Sequence, residues 1–384
     1  MASSWKRLLP PELIEEILIR TPAESLNRFK STCKQWYDLI TDKRFMYNHL
    51  DRSPQRFIRI DDGQTVQIMD PVTGIHKDSP VPDVFRYPHS LLDSMVHCDG
   101  LMLCFGGYPI YDRERDVDLA VWNPVTSKIK WIEPLVCYSE TDYFGIGYDN
   151  TCRHNYKILR FSGPLTFDDP EQCEIYEFKS DSWRTVDAKF DWDVDPQCKG
   201  VSVNGNMYWV TDAAPVYNQM QGFILSFDFT METFKNLCVC PPFHETRQLA
   251  CFSGDRLSLL LQDIQHGIED VSTEIEVWVT NKLTDGVVSF TKYFNVTSPQ
   301  LPLLQFHTDT ARPGYSIGNH KNIMAWCEEK VKEDDDTWGA CITFYQIDQG
   351  GIRKQIETGR HGYYFGDPII CSYVYVPSLI PVPD

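Results

Sequence analysis

Cys238-Val239-Cys240 offers two thiols at close spacing, an arrangement that can give a zinc ion two sulfur ligands. A structural zinc site takes four, and no second close pair of Cys or His accompanies these. They read as strand-end thiols. Asp191, Asp193 and Asp195 alternate with Trp192 and Val194. Alternation puts the carboxylates on one side of an extended chain, which a calcium ion can use, but a one-faced acidic strand or loop is the better account. His244 and His266 are isolated, and His307, His320 and His361 fall near turns. All five read as solvated side chains. No phosphate-cradling GxxxxGK[ST] or zinc-binding HExxH occurs. The sequence therefore assigns no catalytic residue, no metal ligand and no cofactor. Residues 362–365 (Gly-Tyr-Tyr-Phe) and Trp338 read as loop aromatics, which suit either a recognition surface or interior packing.

The 384 residues are enough for one small and one large domain. At 42% hydrophobic and 23% charged the composition is globular, and 13% aromatics favour β-structure. No apolar run of about 18 residues predicts a membrane helix. The start of the chain lacks an apolar signal core, so the 13 cysteines are expected to be free and mostly buried thiols in a reducing compartment, cytoplasmic or nuclear. Residues 1–55 hold nine Lys or Arg and seven Asp or Glu, a net of +2, so the remainder carries −20 of the total −18. An acidic body repels phosphate backbones, which argues against nucleic acid as a partner. It serves solubility or attracts a basic protein.

The first fifty residues are helical. Pro10 and Pro11 suit a helix start, and Glu12, Glu15 and Glu16 complement its positive end. Leu13, Ile14, Ile17 and Leu18 form one apolar stripe, and Thr21-Pro22 stops the helix. A second short helix carries Leu26 and Phe29. A third, over about 32–40, places Cys33, Trp36, Tyr37 and Ile40 on one face. Phe45, Met46 and Leu50 extend the apolar set. Three helices this small cannot hide so many apolar side chains, each worth roughly 1.5–3 kcal/mol when buried. Some must dock on the rest of the chain or on another protein.

From about residue 56 the helical period vanishes and short strands alternate with polar turns. A turn followed by an apolar strand recurs as CDGLMLCF (98–105), NYKILRF (155–161), VNGNMYWV (203–210), GDRLSLLL (254–261) and HKNIMAWC (320–327), spaced 57, 48, 51 and 66 residues apart. A strand–turn–strand unit begins at 121, 175, 226, 277 and 344, spaced 54, 51, 51 and 67, with a partial copy over 66–77. Two markers sharing a period near 50 constitute a repeat, and four strands per period is the pattern of propeller blades, here six; a sandwich is the rival. Residues 298–314 and EEKVKEDDD (328–336) read as inserted loops. The apolar tail, 371–382, is expected to pair with an early blade and close the ring.

Two resemblances bear on these readings. Leu9-Pro10, Glu12-Leu13, Glu16-Ile17-Leu18, Pro22, Ser25-Leu26, Arg28-Phe29, Cys33-Lys34, Trp36 and Leu39-Ile40 resemble an F-box, with Thr21 standing where that family usually has Leu. WNPVTSKIKWIEP, KGVSVNGNMYWV, ILSFDF with Glu232 and Phe234, the Gly106-Gly107 pair and the closing VPSL resemble the plant F-box-associated, kelch-like interaction domain. Together they imply an α+β multidomain chain: a three-helix F-box over 1–50, then a six-bladed kelch-like propeller over 51–384. They imply a non-catalytic substrate adaptor of a Skp–cullin–F-box ubiquitin ligase. The F-box would bind the Skp-type adaptor protein, and through it a cullin; the propeller would bind an unknown target protein, with no nucleic acid or membrane partner. Leu9, Pro10, Leu13, Ile17 and Leu18 are the expected contacts, with Leu26, Cys33 and Trp36 contributing or holding the helices together. The alternative is a propeller that holds a glycan or small molecule, with ubiquitin transfer secondary.

Overall fold

The computed structural model describes residues 9–61, 65–70, 76–80, 94–106, 118–133, 135, 142–162, 172–188, 192–194, 198–213, 222–242, 246–266, 271–304, 314–318, 321–332, 338–362 and 373–383. It opens with helices α1 (Pro11–Ile19), α2 (Ala23–Phe29), α3 (Lys34–Ile40) and α4 (Lys43–Arg52), one more than the sequence led us to expect. The Pro10 carbonyl accepts from the amides of Leu13 and Ile14 at 3.0 and 3.1 Å, so α1 begins at the tandem prolines. The extra helix is nucleated by Asp42, whose carboxylate accepts from Phe45 N–H at 3.1 Å. Its buried residues, Phe45, Met46, His49 and Leu50, fall at i, i+1, i+4 and i+5.

Six sheets follow. The first holds β1 (Arg56–Asp61), β2 (Thr65–Met69) and β3 (His76–Pro80). The second holds β4 (Ser94–Cys98), β5 (Leu101–Gly106), β6 (Asp118–Asn123) and β7 (Lys128–Trp131). The third is β8 (Asp142–Tyr148), β9 (Tyr156–Ser162), β10 (Gln172–Glu177) and β11 (Ser182–Thr185). The fourth has a divided inner strand, β12 (Trp192–Val194) and β13 (Val201–Val203), then β14 (Asn206–Ala213), β15 (Gly222–Asp228) and β16 (Thr233–Val239). The fifth is β17 (Thr246–Phe252), β18 (Arg256–His266), β19 (Val271–Thr280) and β20 (Phe290–Ser298). The sixth is β21 (Gly314–Ile317), β22 (Asn322–Lys332), β23 (Trp338–Asp348) and β24 (Gly351–Gly362). The last strand, β25 (Tyr373–Tyr375), returns to complete the first sheet by pairing antiparallel with β1. This is a six-bladed propeller, closed by the tail as expected.

The blade pattern explains the near-continuous apolar runs. Each middle strand is covered on both faces by neighbouring blades, and successive side chains alternate between the two seams. Leu101 and Leu103 join the cluster shared with the third blade, while Met102 and Cys104 join the one shared with the first. Leu257, Leu259 and Leu261 face the fourth blade, and Leu260 faces the sixth. The first repeat motif marks the turn from innermost to second strand. Asp99-Gly100, Asn204-Gly205 and Ser253-Gly254 have positive φ at both positions, which matches a tight hairpin turn. The second motif marks the outer hairpin. There Asn123, Asp228 and Asp348 accept backbone N–H groups of the turn through their side chains.

Two expected loops differ. Residues 328–332 extend β22, paired from Glu328↔Ile342 to Lys332↔Trp338, so Trp338 begins a strand and does not lie in a loop. A ladder of backbone hydrogen bonds sustains such a ribbon despite its charged sequence. Tyr363, Tyr364 and Phe365 lie outside the described residues.

The closing tail is anchored by side chains from the second blade. Asn123, fully buried, donates to the carbonyls of Ser378 and Ile380 at 3.2 and 2.6 Å and accepts from Val125 N–H at 2.8 Å. His97 Nε2 accepts from the amides of Gly100 (2.8 Å) and Val376 (3.3 Å). A Cβ at Gly100 would stand 2.0 Å from Ser378 Cβ, so the tail passes where only glycine leaves room. Asn123→Ala should destabilise the chain by about 3 kcal/mol, because it strands buried carbonyls and amides; chemical denaturation measures this. Burial pushes the His97 imidazole down to about 4, against the opposing charge of Asp99. The unfolded chain binds that proton near 6.5, so between these values the unfolded state holds more protons. The stabilisation is full above pH 6.5 and is lost as pH falls toward 4. The melting temperature should fall over that window, and fall less in His97→Gln, which keeps an acceptor that does not titrate.

Candidate functional site

The α1 stripe read from the sequence divides in the structure. Leu18 and Ile19 turn inward and are buried, and Ile14 is half-buried beside them. Leu9, Leu13 and Ile17, spaced by four, remain outside at 53%, 50% and 55% exposure. Pro10 is exposed beside them. The bundle's core is Leu18, Ala23, Leu26, Ile40, Phe45, Met46 and Leu50. Leu18 and Leu26 are 3% and 0% exposed, so they hold the helices together and are not surface contacts; this corrects the placement of Leu18. Cys33 is exposed at the start of α3, and Trp36 is half-buried with its ring centroid 5.4 Å from that of Phe29. Tyr37, one residue on, is 52% exposed and adds an aromatic to the open surface. Ion pairs flank the open side of α1, including Arg20–Glu16 (3.3 Å) and Arg44–Glu15 (3.0 Å). Exposed pairs of this kind contribute little to stability.

The opposite side of the bundle is fixed to the propeller. Leu18, Leu26 and Phe45 share one apolar cluster with Val96 and Val125 of the second blade and with Leu379 and Ile380 of the tail. Asn27 Nδ2 donates to the Val125 carbonyl at 3.0 Å. Arg153 is the polar staple. Its Nε and Nη2 donate to both oxygens of Asp99 at 2.9 and 3.0 Å, and Nη1 donates to Asp51 at the end of α4 at 2.9 Å. Tyr156 adds its hydroxyl to Asp99 at 3.1 Å, and the guanidinium lies 4.7 Å from the Tyr47 ring centroid. Burial disfavours the Arg153 charge, but the bonds and charge of Asp99 raise its pKa on balance. His49 donates through Nε2 to the Thr21 carbonyl at 2.8 Å, tying α4 to the α1–α2 turn, and burial lowers its pKa.

Among the described residues no group of three or more His, Cys, Asp or Glu is placed to hold a metal ion. Cys238 and Cys240 are thiols on or just after β16, with Cys240 buried and Cys238 pushed up to about 12 by burial. None of the eleven described cysteines is in a disulfide. Asp193 lies on β12, whereas Asp191 and Asp195 are outside the described residues, as are His244, His307 and His320. His266 closes β18 and His361 lies near the end of β24.

The staple of Arg153, Asp99 and Asp51 was not foreseen. Asp99 is visible in sequence only as a turn residue, and nothing local links it to residues 51 and 153. Arg153→Leu should leave Asp99 without its cation and cost about 3 kcal/mol. Amide hydrogen exchange in α4 should quicken with it, while exchange in the sixth blade stays unchanged.

Two family models match the chain: an F-box domain over residues 7–48 and an F-box associated beta propeller domain over residues 53–382. Putative F-box only protein 15 of Arabidopsis thaliana is 72% identical over 380 residues, covering 98% of each chain. F-box protein At3g08750 of the same plant is 58% identical over 393 residues and covers all of both chains. Among solved structures, an ulvan lyase aligns over 84% of this chain and 90% of its own, with 11% identity and a TM-score of 0.38, too low to carry an argument. With its helical module at one end and a propeller matching over residues 53–382, the chain belongs to the plant F-box proteins that carry an F-box-associated β-propeller domain.

Proposed function

We propose that the chain is the substrate-recognition adaptor of a Skp–cullin–F-box ubiquitin ligase. The F-box module, residues 1–50, docks on the Skp-type adaptor and through it a cullin; the propeller, 51–384, binds a target protein. The observation that carries this reading is the division of α1. Ile14 and Leu18 pack inward, while Leu9, Leu13 and Ile17 are left half-exposed beside Tyr37, on a bundle otherwise seated on the propeller. Covering each of these three would gain roughly 1 kcal/mol, and a partner surface is what can supply that cover. Family membership supports the partner's identity. The chain itself performs no bond chemistry: it raises the concentration of target near the transferring enzyme. Its place of action is the cytoplasm or nucleus.

Leu9→Asp with Ile17→Asp should abolish capture by a purified Skp-type adaptor. Both side chains are exposed, so melting temperature should change by less than about 2 °C. Undiminished capture by a folded double variant would end the proposal.

A further inference from the structure

On the propeller axis, at the end where the helices sit, lies a half-open cleft of about 460 Å³. The innermost strands of all six blades contribute to it, and Leu50 and Ser53 close one side from α4 and the linker after it. That volume is in the range of sites that enclose small organic ligands.

Its charged groups, Lys199 among them, are engaged within the protein. Arg153 and Asp99 line the cleft, but they are bound to each other and to Asp51. A charged ligand would have to break that set. Two neutral donors are unspent. Tyr148 lines the cleft at 7% exposure, and its hydroxyl makes no hydrogen bond among the described residues. His97 also lines it. The two amides on His97 Nε2 place the ring proton on Nδ1, which has no partner among the described residues. Met95, Val201, Leu249 and Trp326 supply apolar wall. A hydroxyl and an N–H with no protein acceptor among the described residues, facing a cleft whose wall is part apolar and part polar (Ser202, Asn204, Gln248), call for a ligand that brings acceptor oxygens and apolar surface together.

The geometry points to this cleft as a binding site for an uncharged, oxygen-bearing cyclic small molecule, whose oxygens accept hydrogen bonds from the Tyr148 hydroxyl and His97 Nδ1–H. Such a ligand touches the propeller and the F-box linker together, so its binding stiffens the joint between them. The proposal does not depend on the ubiquitin-ligase reading, since adaptor capture and ligand binding are measured separately.

The test uses the full chain with coumarin and naphthol as probes, and naphthoate and naphthylmethylammonium as charged counterparts. Thermal shift and ligand-observed NMR should register the neutral pair and not the charged pair. Hydrogen exchange in α4 should slow when a neutral probe binds. Tyr148→Phe removes a hydroxyl with no hydrogen bond among the described residues, so it should leave the melting temperature unchanged while weakening binding about tenfold. Ser202→Phe, which adds bulk to the cleft wall, should abolish binding. No response to either neutral probe, an equal response to the charged ones, or undiminished affinity in Tyr148→Phe overturns the proposal.

Discussion

Three backbone pairs between Arg56–Ile58 and Tyr373–Tyr375 join opposite ends of the chain, and the ring cannot exist without them. Unpaired, β1 would present an open edge, and the seam in which Phe57 meets Trp326 and Phe344 would have no reason to form. The chain continues past this strand as Val376–Val382, fastened by Asn123 and by the amide of Val376 on His97. Leu379 and Ile380 then supply part of the surface on which the helices rest. Closure therefore does two things at once: it removes an edge and builds the seat of the F-box.

Seating fixes which end of the propeller the helices occupy. In an antiparallel blade, the turn between first and second strands and the turn between third and fourth lie at the same end. Asp99 and Arg153 belong to turns of the former kind, Val125 to one of the latter; Arg153 and Val125 bond to the helices, and Asp99 holds Arg153. A short bundle that could not stand alone is completed by this contact, and the completion decides which apolar side chains stay outside. Ile17 and Leu18 are chemically alike neighbours. One is open and the other buried because the remaining helices pack on one side of α1 only.

Much of this was legible. The repeat was, because each blade needs the same two turns, and turn chemistry is local: Asp-Gly, Asn-Gly and Ser-Gly announce themselves. The start of α1 was, because tandem prolines and a four-residue apolar spacing need no tertiary context. The fourth helix was missed although its signals were present. Asp42 is a good cap, but Tyr47, Asn48 and His49 dilute the apolar period behind it. Residues 328–332 were read as a loop because charge dominates their composition, whereas their pairing with 338–342 is settled by a partner strand outside the window. The staple through Arg153 and the unspent donors of the cleft depend on residues brought together from four or more segments, and no local pattern encodes that.

The nature of the joint bears on how such a chain would work. Only Ser53, Pro54 and Gln55 separate α4 from β1, and the helices are bound by a shared apolar cluster and by the Arg153–Asp51 ion pair. A tether of that length has little slack, so the two modules act as one body and not as beads on a flexible linker. A flexible linker spreads a bound target over a large volume, whereas a fixed joint confines it to a narrow range of distances and directions. If the open stripe of α1 docks on an adaptor, the propeller's position relative to that adaptor is already set by Arg153, Asn27 and the tail. Anything that loosens or stiffens this joint then changes target presentation without touching either binding surface.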